Sequence, residues 1–446
     1  MISILAAVLL HVTPVTLGEV RAEARSNPQA MLSALDYARS LQGQRSQRAF
    51  VLPQVSLGAT GGYEWTGTQA VTEPTTRTDP VTGQPTGVVL ATQDVPPFKH
   101  PIYQFTATLS QVLFDWGRFK AVAQAGSLED AARAQAEEQA QFAEYEALRR
   151  FYVLLTAQRS QDVFKANARR SREQVERAHA FFETARGTKG DVLASQINLN
   201  NDEIASLRQG STVTQAQADL AAWLGRTETE ELEAVDPGTL EAAPGSVPEL
   251  QAIVAQAHAN RPLLQVVDAQ LKAAEQGVSS AVGGYLPRVK LLGNYQRNGN
   301  SLNPTFTTPH LQNDVQALIN FQWDIFSGLS TDAAVKSAEA SVSSARITAE
   351  QTRRDVEGSL RIGHNALTTL IRVADVSRET QSTARKNLSY AQDRFTAGAA
   401  STLDVRDAQL KLTQAELNFL QSRADVEVAR AALARLSGTL NSGVKP

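Results

Sequence analysis

The chain has 446 residues, with 43 lysines and arginines against 46 aspartates and glutamates, six histidines and no cysteine. A net charge of −3 exerts no pull toward nucleic acid. The missing cysteines exclude disulfides, thiolate metal sites and thiol catalysis. No H-E-x-x-H, Gly-rich phosphate loop or G-x-S-x-G occurs, so neither an enzyme nor a protein with a cofactor or metal is expected.

In chain order, "MISILAAVLL" has the apolar core of an export signal without a basic residue ahead of it, and residues 1–14 are expected to be a shortened signal peptide. In "NPQAMLSALDYARSL" Asn27 caps a helix and Pro28 takes its first position. "VLPQVSLGATGGYEW" then alternates. Val55, Leu57, Ala59, Tyr63 and Trp65 share one parity, and Gln54, Ser56, Gly58, Thr60 and Glu64 share the other. That period of two predicts a strand over about 53–66 with one apolar and one polar face.

The Thr/Pro/Gly-rich segment 66–101 reads as an exposed loop. A second strand, about 102–114, places Tyr103, Phe105, Ala107 and Leu109 on one face. Proline-free helices follow over about 117–185 and 190–224. If continuous, the first is ~100 Å long, more than a globular core needs.

The acidic segment 227–246 connects to a second pass through the same plan. Pro28 to Pro53 and Pro262 to Pro287 are both 25 positions apart, Gly117 to Glu146 and Gly328 to Glu357 both 29, and Asp191 to Gly225 and Asp404 to Gly438 both 34. The chain is therefore an internal duplication of a helix-strand-strand-helix-helix unit, with repeats over 15–226 and 247–440 and a tail over 441–446.

The second repeat predicts strands over about 287–297 and 313–326. Val289, Leu291 and Tyr295 share one face, with Leu292 intruding on the other; Val315, Ala317, Ile319, Phe321 and Trp323 share a face in the next strand. Segment 297–309 reads as another exposed loop, and helices are predicted over about 328–396 and 402–437. In the last helix, Val405, Ala408, Leu412, Ala415, Phe419, Ser422, Val426, Ala429, Leu433 and Leu436 follow a coiled-coil spacing. A second thread, Leu403, Leu410, Leu417, Ala424 and Ala431, runs along the opposite side, so this helix should sit between two neighbours. The matching helix of the first repeat keeps the pattern in part: Val192 and Leu199, then Asp202.

Strands of ~9–11 residues with aromatic ends suit an outer-membrane barrel, yet four strands are too few to close one. If they span a membrane, several chains must share the barrel, with Leu57, Tyr63, Trp65, Tyr103, Phe105, Tyr295, Phe321 and Trp323 facing lipid. The other arrangement is a coiled-coil scaffold with a small soluble sheet.

The order of "NP", "LP", "LFDWG" and "TLDVRDAQL" within this duplicated spacing resembles the TolC family of outer-membrane efflux proteins, over Val15 to Leu440. The resemblance implies an α+β membrane protein, a homotrimer whose twelve-stranded β-barrel in the outer membrane continues as a long α-helical barrel in the periplasm. It implies a passive exit duct for small molecules or polypeptides, served by a periplasmic adaptor protein and an inner-membrane transporter. It also implies that Asp404 and Asp407 line the periplasmic constriction, that Asp191 belongs to a gate network, and that the adaptor meets the turns at Gly187, Thr188 and Gly190 and at Gly398, Ala399, Ala400 and Ser401. The family's gate arginine is replaced here by Ala400, and its aromatic partner position holds Phe395. For Asp404, helix capping is an equal reading. Two methionines and six scattered histidines make no ligand ladder for a metal-ion duct.

Overall fold

A computed structural model describes residues 12–226, 231–236, 238–242, 245–299 and 313–440. In order, the elements are β1 (Val12–Val15), α1 (Leu17–Ala24), α2 (Pro28–Ala49), β2 (Gln54–Thr66), β3 (Gln69–Thr78), β4 (Pro85–Val95), β5 (Phe98–Phe114), α3 (Trp116–Glu183) and α4 (Lys189–Leu224). They continue with β6 (Glu231–Ala234), α5 (Leu250–Asn260), α6 (Pro262–Val282), β7 (Arg288–Gly299), β8 (Asn313–Gln322), α7 (Ser330–Thr396) and α8 (Thr402–Leu436). The long helices start and end within two residues of the predicted bounds, because proline-free Ala/Gln/Glu/Arg sequence offers no interior stop.

Two units form, one from the segment ending at Leu41, Ser127–Ala273 and the segment from Val342, the other from Gln42–Gly126 and Ala274–Ser341. The first holds the helical cores. Phe151, Leu154, Leu155 and Leu220 pack with Val15, Val20 and Leu232 in one cluster. Ile253, Leu264, Val356, Leu360, Val426 and Leu433 form a second. The coiled-coil seam of α8 is accordingly buried at Val405, Ala408, Leu412, Ala415, Ser422, Val426 and Leu433. Its second thread divides: Ala424 is buried in the first cluster, whereas Leu403 and Leu410 are exposed.

The connector is not a loose linker. Its β6 pairs in parallel with β1, Val12 to Val15 against Glu231 to Ala234. The wholly buried Arg423 of α8 donates to the carbonyls of Thr239 (2.6 Å) and Leu240 (3.1 Å). Of the segment expected to be a signal peptide, Val12–Pro14 belong to β1 and residues 1–11 lie outside the described ones, as do 441–446 and most of the second loop, 300–312.

The second unit holds an antiparallel sheet in the order β2-β5-β7-β8. Its register settles the faces. Val55, Leu57 and Ala59 pair with Leu109, Ala107 and Phe105. Those three pair with Gly293, Tyr295 and Arg297, while Leu291 and Val289 lie opposite Ile319 and Phe321. The other face carries Gln54, Ser56 and Thr60, then Ser110, Thr108 and Gln104, then Asn294 and Gln296, then Gln316 and Asn320. Leu292, the predicted intruder on this polar face, lies directly opposite a second leucine, Leu318.

Three expectations are corrected. Segment 66–101 is not an irregular loop but a hairpin, β3 pairing with β4 from Gln69↔Val95 to Thr78↔Pro85 as a separate two-stranded sheet. The last strand ends at Gln322, so Trp323 lies just beyond it, its indole N–H donating to the Tyr285 carbonyl (3.0 Å). Strand β5 begins at Phe98, four residues early, because β2 extends far enough to pair with it as far as Thr66↔Phe98.

Candidate functional site

The turns joining α3 to α4 and α7 to α8 are two copies of one device. In the first, Arg186 and Gly187 N–H both donate to the Phe181 carbonyl (2.8 and 3.0 Å); in the second, Ala399 N–H donates to Arg394 (2.8 Å) and Gly398 N–H to Phe395 (3.0 Å). Each helix ends on a left-handed residue, Ala185 (φ 58°) or Gly398 (φ 74°). Glycine accepts that conformation freely, whereas Ala185 holds it at a steric cost.

Three residues on, Thr188 and Ser401 cap the next helix, each in a reciprocal capping box. Thr188 N–H donates to Asp191 Oδ2 (3.0 Å) and Asp191 N–H to Thr188 Oγ1 (3.2 Å). Ser401 N–H donates to Asp404 Oδ2 (2.7 Å) and Asp404 N–H to Ser401 Oγ (3.2 Å). The conserved six-residue offset, Ala185 to Asp191 and Gly398 to Asp404, is the duplication seen at atomic scale.

Both carboxyls lie below the usual aspartate range. For Asp191 the Thr188 hydroxyl and backbone bonds are the cause; for Asp404 it is the Ser401 backbone bond, then its hydroxyl. A carboxyl lowered on folding stabilises above its unfolded value, ~3.9, and that contribution vanishes as pH falls through the lowered folded value. Thr188 and Ser401 amides are therefore expected to keep their exchange protection from neutral pH to about pH 4 and lose it on further acidification. Hydrogen exchange across the two turns checks this.

The predicted residues are brought together in part. The Thr402 hydroxyl donates to Asp191 Oδ1 (3.2 Å), joining the turns of the two repeats. Asp404 is exposed on α8, and Asp407 is exposed and paired with Lys411 (2.7 Å). Phe395 packs against Phe181 with the rings tilted at 44° and their centroids 5.5 Å apart, and Ala400 packs against the same small core as Val405 and Leu412. Thr188, Gly190, Gly398, Ala399 and Ser401 are exposed at the turn surface, with Gly187 and Ala400 half-buried.

What sequence reasoning missed lies about one turn into α8 and between three and four turns into α4. Arg406 of α8 donates from Nη1 and Nη2 to the two oxygens of Asp202 on α4 (2.6 and 2.9 Å), and Ser171 of α3 donates to the same carboxylate. Asp202 is buried and Arg406 nearly so. A second buried bond follows, Thr413 Oγ1 to Asn167 Oδ1 (3.0 Å). Between the three helices, Ser171, Gln174, Ser195, Asn198, Arg406 and Gln409, with Ala194 and Leu403, line a cavity of about 100 Å³. The one available signal was Asp202 itself, a charge breaking the apolar pattern of α4.

The chain matches the model of the outer membrane efflux protein family over residues 20–226 and 253–439. It is 23% identical over 292 residues to outer membrane protein TolC of Vibrio cholerae, an alignment covering 65% of this chain and 66% of that one, so the chain spans just under two thirds of that relative. It is 24% identical over 429 residues to the alkaline protease secretion protein AprF of Pseudomonas aeruginosa, covering 93% and 82%. The crystal structure of the outer membrane protein VceC from Vibrio cholerae superposes with a TM-score of 0.74 at 16% identity, covering 95% of this chain and 96% of that one.

The fold is thus the α+β fold of outer-membrane channel proteins, four long helices with a four-stranded antiparallel sheet. With both repeats matched, the chain belongs to the outer membrane efflux protein family. Its place is the outer membrane, and the scaffold alternative is set aside.

Proposed function

We propose that three copies of this chain close one barrel and form a passive exit duct of a tripartite efflux or type I secretion system. One observation carries the reading: the sheet is apolar on one face, polar on the other, and open at β2 and β8. Unpaired edge groups cannot face hydrocarbon, and four strands fall short of the ~8 of the smallest membrane barrels. With β8 antiparallel to β7 and β2 antiparallel to β5, the next copy's β2 can pair with β8 and leave no edge. Lipid then meets Leu57, Tyr63, Trp65, Tyr103, Phe105, Tyr295 and Phe321, and water meets the polar face. The exposed Leu403 and Leu410, with Leu193, Ile197, Ile204 and Leu207 on α4, are the seams left for neighbouring copies.

The periplasmic adaptor would dock on the paired turns, at Gly187 to Gly190 and Gly398 to Ser401, recruiting an inner-membrane transporter. Asp404 and Asp407, exposed and three residues apart, would each supply a three-carboxylate ring that attracts cations. The family's description is of efflux and AprF is named for protease secretion, so both small molecules and polypeptides fit as cargo.

Purified protein in planar bilayers is expected to give discrete channels that trivalent cations block from one side, with the block relieved in Asp404→Ala/Asp407→Ala. A preparation with no channel activity would overturn the duct. Leu57→Arg, a charge on the lipid face costing about 2–4 kcal/mol at mid-membrane, is expected to cut outer-membrane insertion several-fold on fractionation, while Ser56→Arg beside it inserts.

A further inference from the structure

Along β7 and β8 the polar face of the sheet is interrupted at one place. Leu292 and Leu318 are register partners on β7 and β8, and two residues toward the strand ends Lys290 pairs in register with Asn320. Side chains at directly opposed positions on one face lie ~5 Å apart at Cβ, and i, i+2 neighbours share the face, so the four make one tile. Its rows are two leucines, then an ammonium beside an amide. On the β5 side the neighbours are Ser110 against Leu292 and the buried Val112 against Lys290. Every other position of this face from Asn294 to Asn298 and from Gln316 to Gln322, apart from Asp314 farther along, is neutral and polar.

Charge on the tile is uncompensated. The nearest cation on the same face, Arg288, is ion-paired with Asp324, and farther along the face His100 is paired with Glu64 (3.2 Å). Lys290 has no ion-pair partner among the described residues. The remaining carboxylate of this face, Asp314, is six residues from Asn320 along β8, roughly 20 Å at ~3.4 Å per residue. That exceeds the ~8 Å Debye length at physiological salt, so it does not neutralise Lys290.

We propose that Lys290, Leu292 and Leu318 form a subsite for amphiphilic organic anions on the water-facing wall of the duct, one per protomer. The head group meets Lys290 and Asn320, and the chain lies on the two leucines. The assignment rests on the trimeric duct, since only a closed barrel turns this face inward. It names a cargo chemistry for which a half-buried lysine without an ion-pair partner, set beside leucines, is complementary in both charge and apolarity.

Channels recorded in KCl, in the Asp404→Ala/Asp407→Ala background so that tip carboxylates do not repel anions, are titrated with decanoate from both sides at concentrations that leave protein-free bilayers silent. Decanoate is expected to reduce current at least about tenfold more potently than acetate, from the apolar area its chain buries. Lys290→Gln is expected to weaken that block about tenfold and Lys290→Arg to retain it; Leu318→Asn is expected to weaken it severalfold with unchanged KCl conductance. Equal potency of decanoate and acetate, or block unaltered in Lys290→Gln and Leu318→Asn channels of normal conductance, overturns the subsite while leaving the duct intact. Absence of channels in KCl alone removes the duct and the subsite together.

Discussion

Asp202→Ala is expected to unfasten α8 from α3 and α4 near the paired turns. The Asp202 carboxylate takes both guanidinium donors of Arg406 and the Ser171 hydroxyl in a setting where the acid is buried and Arg406 almost so. Removing one partner strands the other, and stranding a buried charge costs about 3–5 kcal/mol, where exposed pairs such as Asp407–Lys411 are worth under about 1. Because Arg406 keeps some solvent access, the lower end of that range, about 3 kcal/mol, is expected. It would be spent locally, as faster hydrogen exchange across the first turns of α4 and α8, with cores around Phe151 and Leu360 unaffected.

Arg406→Met should do the same, and Asp202→Leu with Arg406→Met should recover most of the loss, since an apolar pair leaves no orphan charge. Should both single variants match the parent in exchange and in channel noise, the buried pair has no part in holding the turns. Within a copy, Ala400 packs in the small core and Phe395 on Phe181, while the Arg406–Asp202 pair and the Thr402–Asp191 and Thr413–Asn167 bonds join the three helices.

Gly283→Ala is expected to prevent assembly. A Cβ at 283 would lie 2.4 Å from the Gly117 nitrogen and 2.5 Å from its Cα, atoms of backbone that cannot rotate away. Gly117 is itself fixed: Ser280 donates to its carbonyl (2.9 Å), and a Cβ there would come within 3.2 Å of the Ser280 carbonyl. Overpacking in fixed surroundings costs about 1–3 kcal/mol or more, and here the strain falls where β5 enters α3. Folded, heat-modifiable protein on gels is expected to fall at least tenfold. Gly284→Ala should be milder, because its clash is with the Thr331 side chain, and Gly62→Ala, with open space around it, should be silent. Wild-type yields for Gly283→Ala would show that the two backbones are not in forced contact.

Much of this architecture was legible because it is periodic. Equal intervals between prolines, glycines and acids exposed the duplication, and period-two alternation gave the four sheet strands and their faces. The β3–β4 hairpin was not legible: most of it is exposed on both faces, so no burial imposes alternation on "QAVTEPTTRT". Four-residue β1 and β6 are too short to show a period, and their pairing joins residues far apart in sequence.

At the turns, residue type and position were readable. Asp191 and Asp404 proved to be capping-box acids, so the capping reading of Asp404 describes its local bonds, and a ring in the assembly would add to it. Arg406 and Asp202 were unreadable for a different reason. A charge inside an apolar seam looks like an interruption until its partner, 204 positions away, is placed against it.

The central claim is that β2 of one copy completes β8 of another. A chain without native cysteines allows a direct measurement: single cysteines placed along β2, each combined with single cysteines along β8, oxidised in native outer membranes and run on denaturing gels. The duct predicts covalent ladders ending at three copies, for pairs in one register only. Crosslinking within a single copy, or none from any pair in folded protein, would contradict it.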